Sequence, residues 1–292
     1  MSLPRRSGFT LVELLMVVVI LGLLLALLLP AINRMRESTR ETVCRDQMRN
    51  VATAVEVFAE KQNQYPGWRH NFPTLTPDNK RTKAYMPWVV PILEYVDRKD
   101  ASDHIKTTTP ANIQWPWVEL LICPSDRDKL EASGPVLSYV GNAGRPDVPP
   151  IDDSSAGPMD YRSNAIFLDL SNPIAKPQTS SFIIKADGKA NTLLLSENLN
   201  ANPWGKVGTS QIQEYDHCIV FHSAPNSDRR INSTPSSGAD PMDLARPSSR
   251  HHNGANIAMA SGNVRLLEND TDYEVYKALL KVDSQFKDPD WP

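Results

Sequence analysis

The sequence predicts an α+β protein in which one long N-terminal α-helix leans on a soluble domain built around an antiparallel β-sheet. Three observations carry this. Leu11–Leu29 is a run of nineteen residues with a single charge, Glu13, which is the length an α-helix needs to cross a hydrocarbon core about 30 Å thick at about 1.5 Å per residue. No glycine or proline stands between Pro30 and Pro66, and Met48, Val51, Val55 and Phe58 recur at three- and four-residue steps, the spacing of one apolar helical face. Beyond Tyr65 the apolar segments shorten to four to six residues bounded by Gly, Pro, Asn and Asp, which is strand punctuation.

The chain of 292 residues divides accordingly into residues 1–8 as a basic leader, 9–30 as a membrane helix, 31–63 as its soluble continuation and 64–292 as a β-rich domain. Counted from Phe9, the helix is about 54 residues and about 80 Å long. Tyr65-Pro66-Gly67-Trp68 ends it with turn chemistry. From there to Trp117 the chain is rich in proline and tryptophan and has little periodicity beyond a short helix near Trp88–Tyr95. Strands are expected at Val136–Gly141, Asn164–Leu168, Ser181–Ala186, Thr192–Glu197 and His217–Phe221. Residues 223–250, dense in Ser, Pro, Asn and Asp, read as a long exposed, flexible loop. Asn256–Ala260 and Val264–Leu267 around Ser261-Gly262-Asn263 form the clearest hairpin. Thr271-x-x-Glu274 is a capping-box pattern opening a helix whose Tyr273, Tyr276, Leu279 and Leu280 share a face.

The formal net charge is -3; loss of Met1–Gly8 with Arg5 and Arg6 would take it to -5 (-3 minus 2). Mild acidity argues against nucleic acid as a partner. Arg34, Arg36, Arg40 and Arg45 follow the apolar run, so basic residues flank it on both sides and charge alone leaves its orientation open. The three cysteines, Cys44, Cys123 and Cys218, lack CxxC spacing. One disulfide with one free thiol, or three reduced thiols, both remain open.

Gly8-Phe9-Thr10-Leu11-Val12-Glu13-Leu14 resembles the type IV prepilin and pseudopilin leader motif residue for residue. The resemblance implies cleavage between Gly8 and Phe9 by a prepilin peptidase and N-methylation of the new Phe9 amine. It also implies pairing of Glu13 with the Phe9 amine of a neighbouring pilin-like subunit. It places the leader in the cytoplasm, the helix in the bacterial inner membrane and the domain outside it. Physical chemistry agrees with the role of Glu13: a carboxylate in the apolar end of a spanning helix costs roughly 1–3 kcal/mol, and pairing with an equally expensive ammonium offsets part of both costs. A secretory signal has a shorter apolar region ending in a small-x-small site.

The remainder resembles a family of bacterial proteins, abundant in planctomycetes, that join a prepilin leader to a β-rich domain. The marks of that family are a helix cysteine, a Cys-Pro-Ser-Asp segment, an Asp-Gly-x-x-Asn-Thr segment before a strand ending in Glu, and a His-x-Gly-x-Asn hairpin. Here they are Cys44, Cys123–Asp126, Asp187–Thr192 with Glu197, and His252–Asn256. Ser261 stands where an Asp is usual at the hairpin turn. The joint presence of the helix cysteine and the Cys-Pro-Ser-Asp segment in that family implies a Cys44–Cys123 disulfide.

For chemistry, Asp216-His217-Cys218, His222 and His251-His252 invite a zinc or hydrolytic reading, but no HExxH or CxxC pair is present. Ser196 lacks a nucleophile elbow. Asp187, Asn191 and Glu197 are hard oxygen donors around a turn, the group that would suit Ca²⁺, although no cofactor is required. The expectation is a non-enzymatic, membrane-anchored, pseudopilin-like subunit of a type II secretion or type IV pilus-like assembly. Its rival is a tethered ligand- or glycan-binding domain whose groove is built from Trp68, Trp88, Trp115 or Trp117.

Overall fold

The computed structural model describes residues 11–145, 162–171, 176–208, 211–222 and 229–285. Helix α1, Leu11–Gln62, is continuous through Pro30 and about 78 Å long at 1.5 Å per residue. Its two halves differ. Every described side chain from Leu11 to Leu29 is exposed, whereas Cys44, Met48, Val51, Ala52, Val55, Phe58 and Ala59 are buried in the core of the domain. The predicted stripe is therefore the docking face.

The domain has two sheets. Strands β1 (Arg69–Leu75) and β2 (Arg81–Pro87) form an antiparallel hairpin. Strands β3 (Tyr139–Gly144), β4 (Leu193–Glu197), β5 (Cys218–Val220), β6 (Gly254–Met259) and β7 (Val264–Glu268) form a sheet in the order β5-β3-β4-β6-β7. Pairs β3–β4, β4–β6 and β6–β7 are antiparallel, while β3–β5 is parallel, so the expected antiparallel sheet is mixed at one edge. All five residues of β4 are buried, as befits a central strand covered on both faces.

Side-chain alternation shows what covers each face. Tyr139 Oη donates to Cys44 Sγ and to Gln47 Oε1 on α1. Asn142, three residues on and so on the opposite face, donates to the Leu280 carbonyl at the end of helix Tyr273–Leu280. The sheet thus lies between the soluble half of α1 and the last helix.

Several sequence expectations are corrected. Ser181–Ala186 is not a strand but lies in helix Ser180–Lys185, because the Thr179 side chain accepts from Phe182 N and caps it. Asn164–Leu168 forms no strand; the amides of Ile166 and Phe167 both reach the Asn142 carbonyl as buried coil. The last helix is capped by Asp272, which accepts from Glu274 N, rather than by Thr271. The irregular Pro/Trp stretch contains the β1–β2 hairpin and helix Lys99–Lys106. Of the expected flexible loop, 223–228 lies outside the described residues, and 229–250 lacks regular elements yet buries Ala245 and Arg246. There Arg246 donates to Ser233 and the Ala245 carbonyl accepts from Val220 N.

Two buried histidines predict an acid-sensitive fold. Burial pushes His70 down to about 4. Burial likewise outweighs the Asp216 charge and pushes His217 down to about 4, with its Nε2 donating to the Pro203 carbonyl. Above about pH 6.5 both are neutral folded or unfolded. Between that value and pH 4 only the unfolded chain takes up the protons, so stability is lost as pH falls. The loss approaches about 3 kcal/mol per histidine for a difference of about 2.5 units. Urea midpoints should therefore drop between pH 6.5 and 4, and His70→Gln with His217→Gln should flatten that slope. An unchanged slope in the double variant would contradict the assignment.

Candidate functional site

The first candidate site is the N-terminal half of α1. Its large apolar side chains are exposed by 45% at Val17 to 80% at Leu11, and its most apolar 18-residue window has a mean hydropathy of 3.1. A continuous apolar surface of this kind is not left to water; it calls for lipid or other helices. Glu13 sits in the first turn of α1, among these residues. Gly8 and Phe9 lie outside the described residues.

The second site is inside the domain and was not assembled from the sequence. Cys44 of α1, Cys123 of the Cys-Pro-Ser-Asp turn, Glu197 at the end of β4 and His251 just before β6 converge, all buried, with one donor atom of each within 4.8 Å of all the others. Cys44 Sγ donates to Glu197 Oε1 at 2.5 Å. His251 Nε2 lies 3.1 Å from the same oxygen and 3.4 Å from Cys123 Sγ. The other oxygen of Glu197 accepts from Asn256 N at 2.6 Å. On its far side, His251 Nδ1 meets Glu37 Oε1 at 3.0 Å, and that oxygen also accepts from Ser125 Oγ at 2.7 Å.

Electrostatics follows from this enclosure. Burial alone would lower His251, but its hydrogen bonds to Cys123 and Glu197 and their charge raise it to about 11. Burial, then the neighbouring Cys123 and Glu197, pushes the Cys44 thiol well up. Cys123 is held below the ordinary thiol range by the Cys44 thiol beside it and by His251, against the effect of burial. Burial would raise Glu37, yet its bonds to Ser125 and His251 outweigh that and keep it below the ordinary carboxyl range. Such a group can do two things chemically: close a Cys44–Cys123 disulfide, or ligate a thiophilic cation.

The predicted site residues fare differently. Cys44 and Cys123 are neighbours, as the disulfide expectation requires, but both are free thiols in this structure. The calcium set is not brought together. Asp187 is taken up by Ser284, whose N and Oγ donate to it, and Asn191 donates to the Asp187 carbonyl. Glu197 lies at the far end of β4 from that turn, about 13 Å along an extended strand. Of the His251-His252 pair it is His251 that turns inward, while His252 is exposed. His217 and His222 do not meet: one bonds Pro203, and the other is near Asp243. Cys218 is buried and unbridged. Trp68 and Trp88 are buried and Trp115 packs edge-on against Trp204, so these three rings do not form the expected groove. Trp117 is exposed and lines a surface cavity with Tyr95 and Arg98.

Sequence reasoning missed the cluster because its members lie on four separate segments with no local spacing. The signal in the sequence is that Cys44, the Cys-Pro-Ser-Asp segment and the strand-ending Glu197 are all marks of the family that the chain resembles.

A bare apolar helix carrying one carboxylate in its first turn, rooted in an α+β domain, defines a membrane-anchored, pseudopilin-like protein. Comparison with known proteins agrees. Residues 3–29 match the prokaryotic N-terminal methylation motif. Residues 33–274 match the model of a protein of unknown function, DUF1559, and the chain belongs to that family. It is also similar to the type II secretion system core protein G of Pseudomonas aeruginosa, at 32% identity over 75 residues, covering 26% of this chain. The chain spans about half the length of that curated relative, 53%. No solved structure matches.

Proposed function

We propose that this protein is a pseudopilin-like subunit of the inner membrane, with its domain on the periplasmic side, that works by assembly rather than catalysis. In this reading a prepilin peptidase cuts between Gly8 and Phe9 and methylates Phe9. Glu13 then pairs with the Phe9 amine of the next subunit in a type II secretion or type IV pilus-like assembly. The observation that carries it is the exposed apolar half of α1, which none of the described residues of the domain covers. The family match to the methylation motif and the likeness to a secretion-system core protein support it.

The test is the N-terminal mass of membrane-extracted protein for wild type, Gly8→Ala and Glu13→Ala. The wild type should begin at methylated Phe9 and Gly8→Ala should keep Met1. Glu13→Ala should be processed yet fall out of any cross-linkable assembly. A wild type that retains Met1, or assembly indifferent to Glu13, would leave α1 as a simple tether.

A further inference from the structure

The geometry points to a structural zinc site formed by Cys44, Cys123, Glu197 and His251, which staples the soluble half of α1 to the sheet. The inference is independent of whether the membrane half assembles.

The donor set is the first argument. Two sulfurs, one imidazole nitrogen and one carboxylate oxygen are the ligand types of a closed tetrahedral zinc site, and bond lengths of about 2.0–2.3 Å place such donors about 3.3–3.8 Å apart. Here the Cys123 Sγ to His251 Nε2 and His251 Nε2 to Glu197 Oε1 separations are 3.4 and 3.1 Å, and all four donor atoms lie within 4.8 Å of one another. The hydrogen-bonded Cys44 Sγ and Glu197 Oε1, at 2.5 Å, would have to part to admit an ion. Two soft sulfurs favour zinc over calcium or magnesium.

The surroundings are the second argument. His251 presents Nε2 to the other donors while Nδ1 faces Glu37. A metal-bound histidine is commonly held this way, its remaining N–H donating to a carboxylate that fixes tautomer and ring orientation. Glu37 is itself held by Ser125. Glu197 offers one oxygen to the cluster and has the other engaged by Asn256 N, which makes it a one-oxygen ligand with a fixed plane. Tyr139 Oη donates to Cys44 Sγ. Three of the four donors, His251, Glu197 and Cys44, thus have a partner outside the shell.

Charge is the third. Two thiolates, a carboxylate and a neutral imidazole carry -3, which a divalent cation reduces to -1. Each ligand binds in its deprotonated form, so whatever proton it carries passes to solvent, with no oxidant or reductant involved. In an exported domain the same ligation would shield two adjacent thiols from oxidation.

The test uses the full-length protein purified in detergent with Zn²⁺ or Co²⁺ supplied. About one zinc per chain, and a thiolate-to-cobalt charge-transfer band in the cobalt form, are expected. Cys123→Ser should abolish that band, and Glu37→Gln should weaken cobalt affinity by about 10- to 100-fold while leaving all four ligands in place. Folded reduced protein that takes up no metal would overturn the proposal. So would native protein 2 Da lighter than the reduced form, with Cys44 and Cys123 in one cross-linked peptide, or a Glu37→Gln variant of unchanged affinity. Should Cys123→Ser fail to fold, the wild-type cobalt titration and Glu37→Gln still decide it.

Discussion

Trp88→Ala is expected to destabilise the protein by about 3–5 kcal/mol, the range for emptying a well-packed aromatic site. For a domain of this size that lowers the melting temperature by about 10 °C. Trp88 is fully buried, lies 5.3 Å from Phe167 between ring centroids and donates through Nε1 to the His217 carbonyl at 2.9 Å. Alanine therefore leaves a cavity where β2 enters the Val89–Ile92 turn and strands a buried carbonyl next to β5. Trp88→Phe should cost less, since it keeps most of the ring and loses chiefly the hydrogen bond, about 1 kcal/mol. An alanine variant within 1 kcal/mol of wild type would mean that the β1–β2 segment docks loosely.

Asn142→Asp should be as damaging although nearly the same volume is kept. Asn142 is fully buried. Its Nδ2 donates to the Leu193 and Leu280 carbonyls at 2.7 and 2.8 Å, and its Oδ1 accepts from Gly144 N at 2.9 Å. An aspartate turns the double donor into an oxygen facing two carbonyl oxygens. Ionised, it is buried and repelled; protonated, it has one proton for two acceptors. A loss of at least about 3 kcal/mol follows. Because protonation restores one donor, the deficit relative to wild type should shrink in acid. Chemical denaturation at pH 7 and pH 5 checks both points, and a deficit that grows in acid would contradict the assigned amide orientation.

What the sequence made legible was what local patterns encode. The nineteen-residue apolar run, the Met48, Val51, Val55, Phe58 stripe and the β6–β7 hairpin each rest on residues close in sequence, and each is present. The β1–β2 hairpin escaped notice because its inward residues in β1 are His70, Phe72 and Thr74. That inward face is mostly polar, so the alternation did not register as hydrophobic, and Pro73 argued further against a strand. Ser181–Ala186 misled in the other direction. Ile183 and Ile184 look like strand residues, but the Thr179 cap and the close of the turn at Ala186 make a short helix of them. Of the buried cluster only the Cys44–Cys123 neighbourhood was anticipated, through the family resemblance; Glu197 and His251 join it because the folded sheet brings residues 44, 123, 197 and 251 together.

Cys44 has one further consequence, and it is mechanical. Among the described side chains it is the first fully buried one met along α1, so it marks where the rod enters its clamp. Some 33 residues, about 50 Å of helix, overhang beyond that point. The helix is then a lever with its fulcrum at the four-residue cluster, and about 5° of play there would swing the Leu11 tip by about 4 Å. An angular error of that size is most of a side chain's width, enough, in the proposed assembly, to decide which neighbouring helix Glu13 would meet. Stiffness at one buried cysteine would set the aim of a carboxylate half the molecule away.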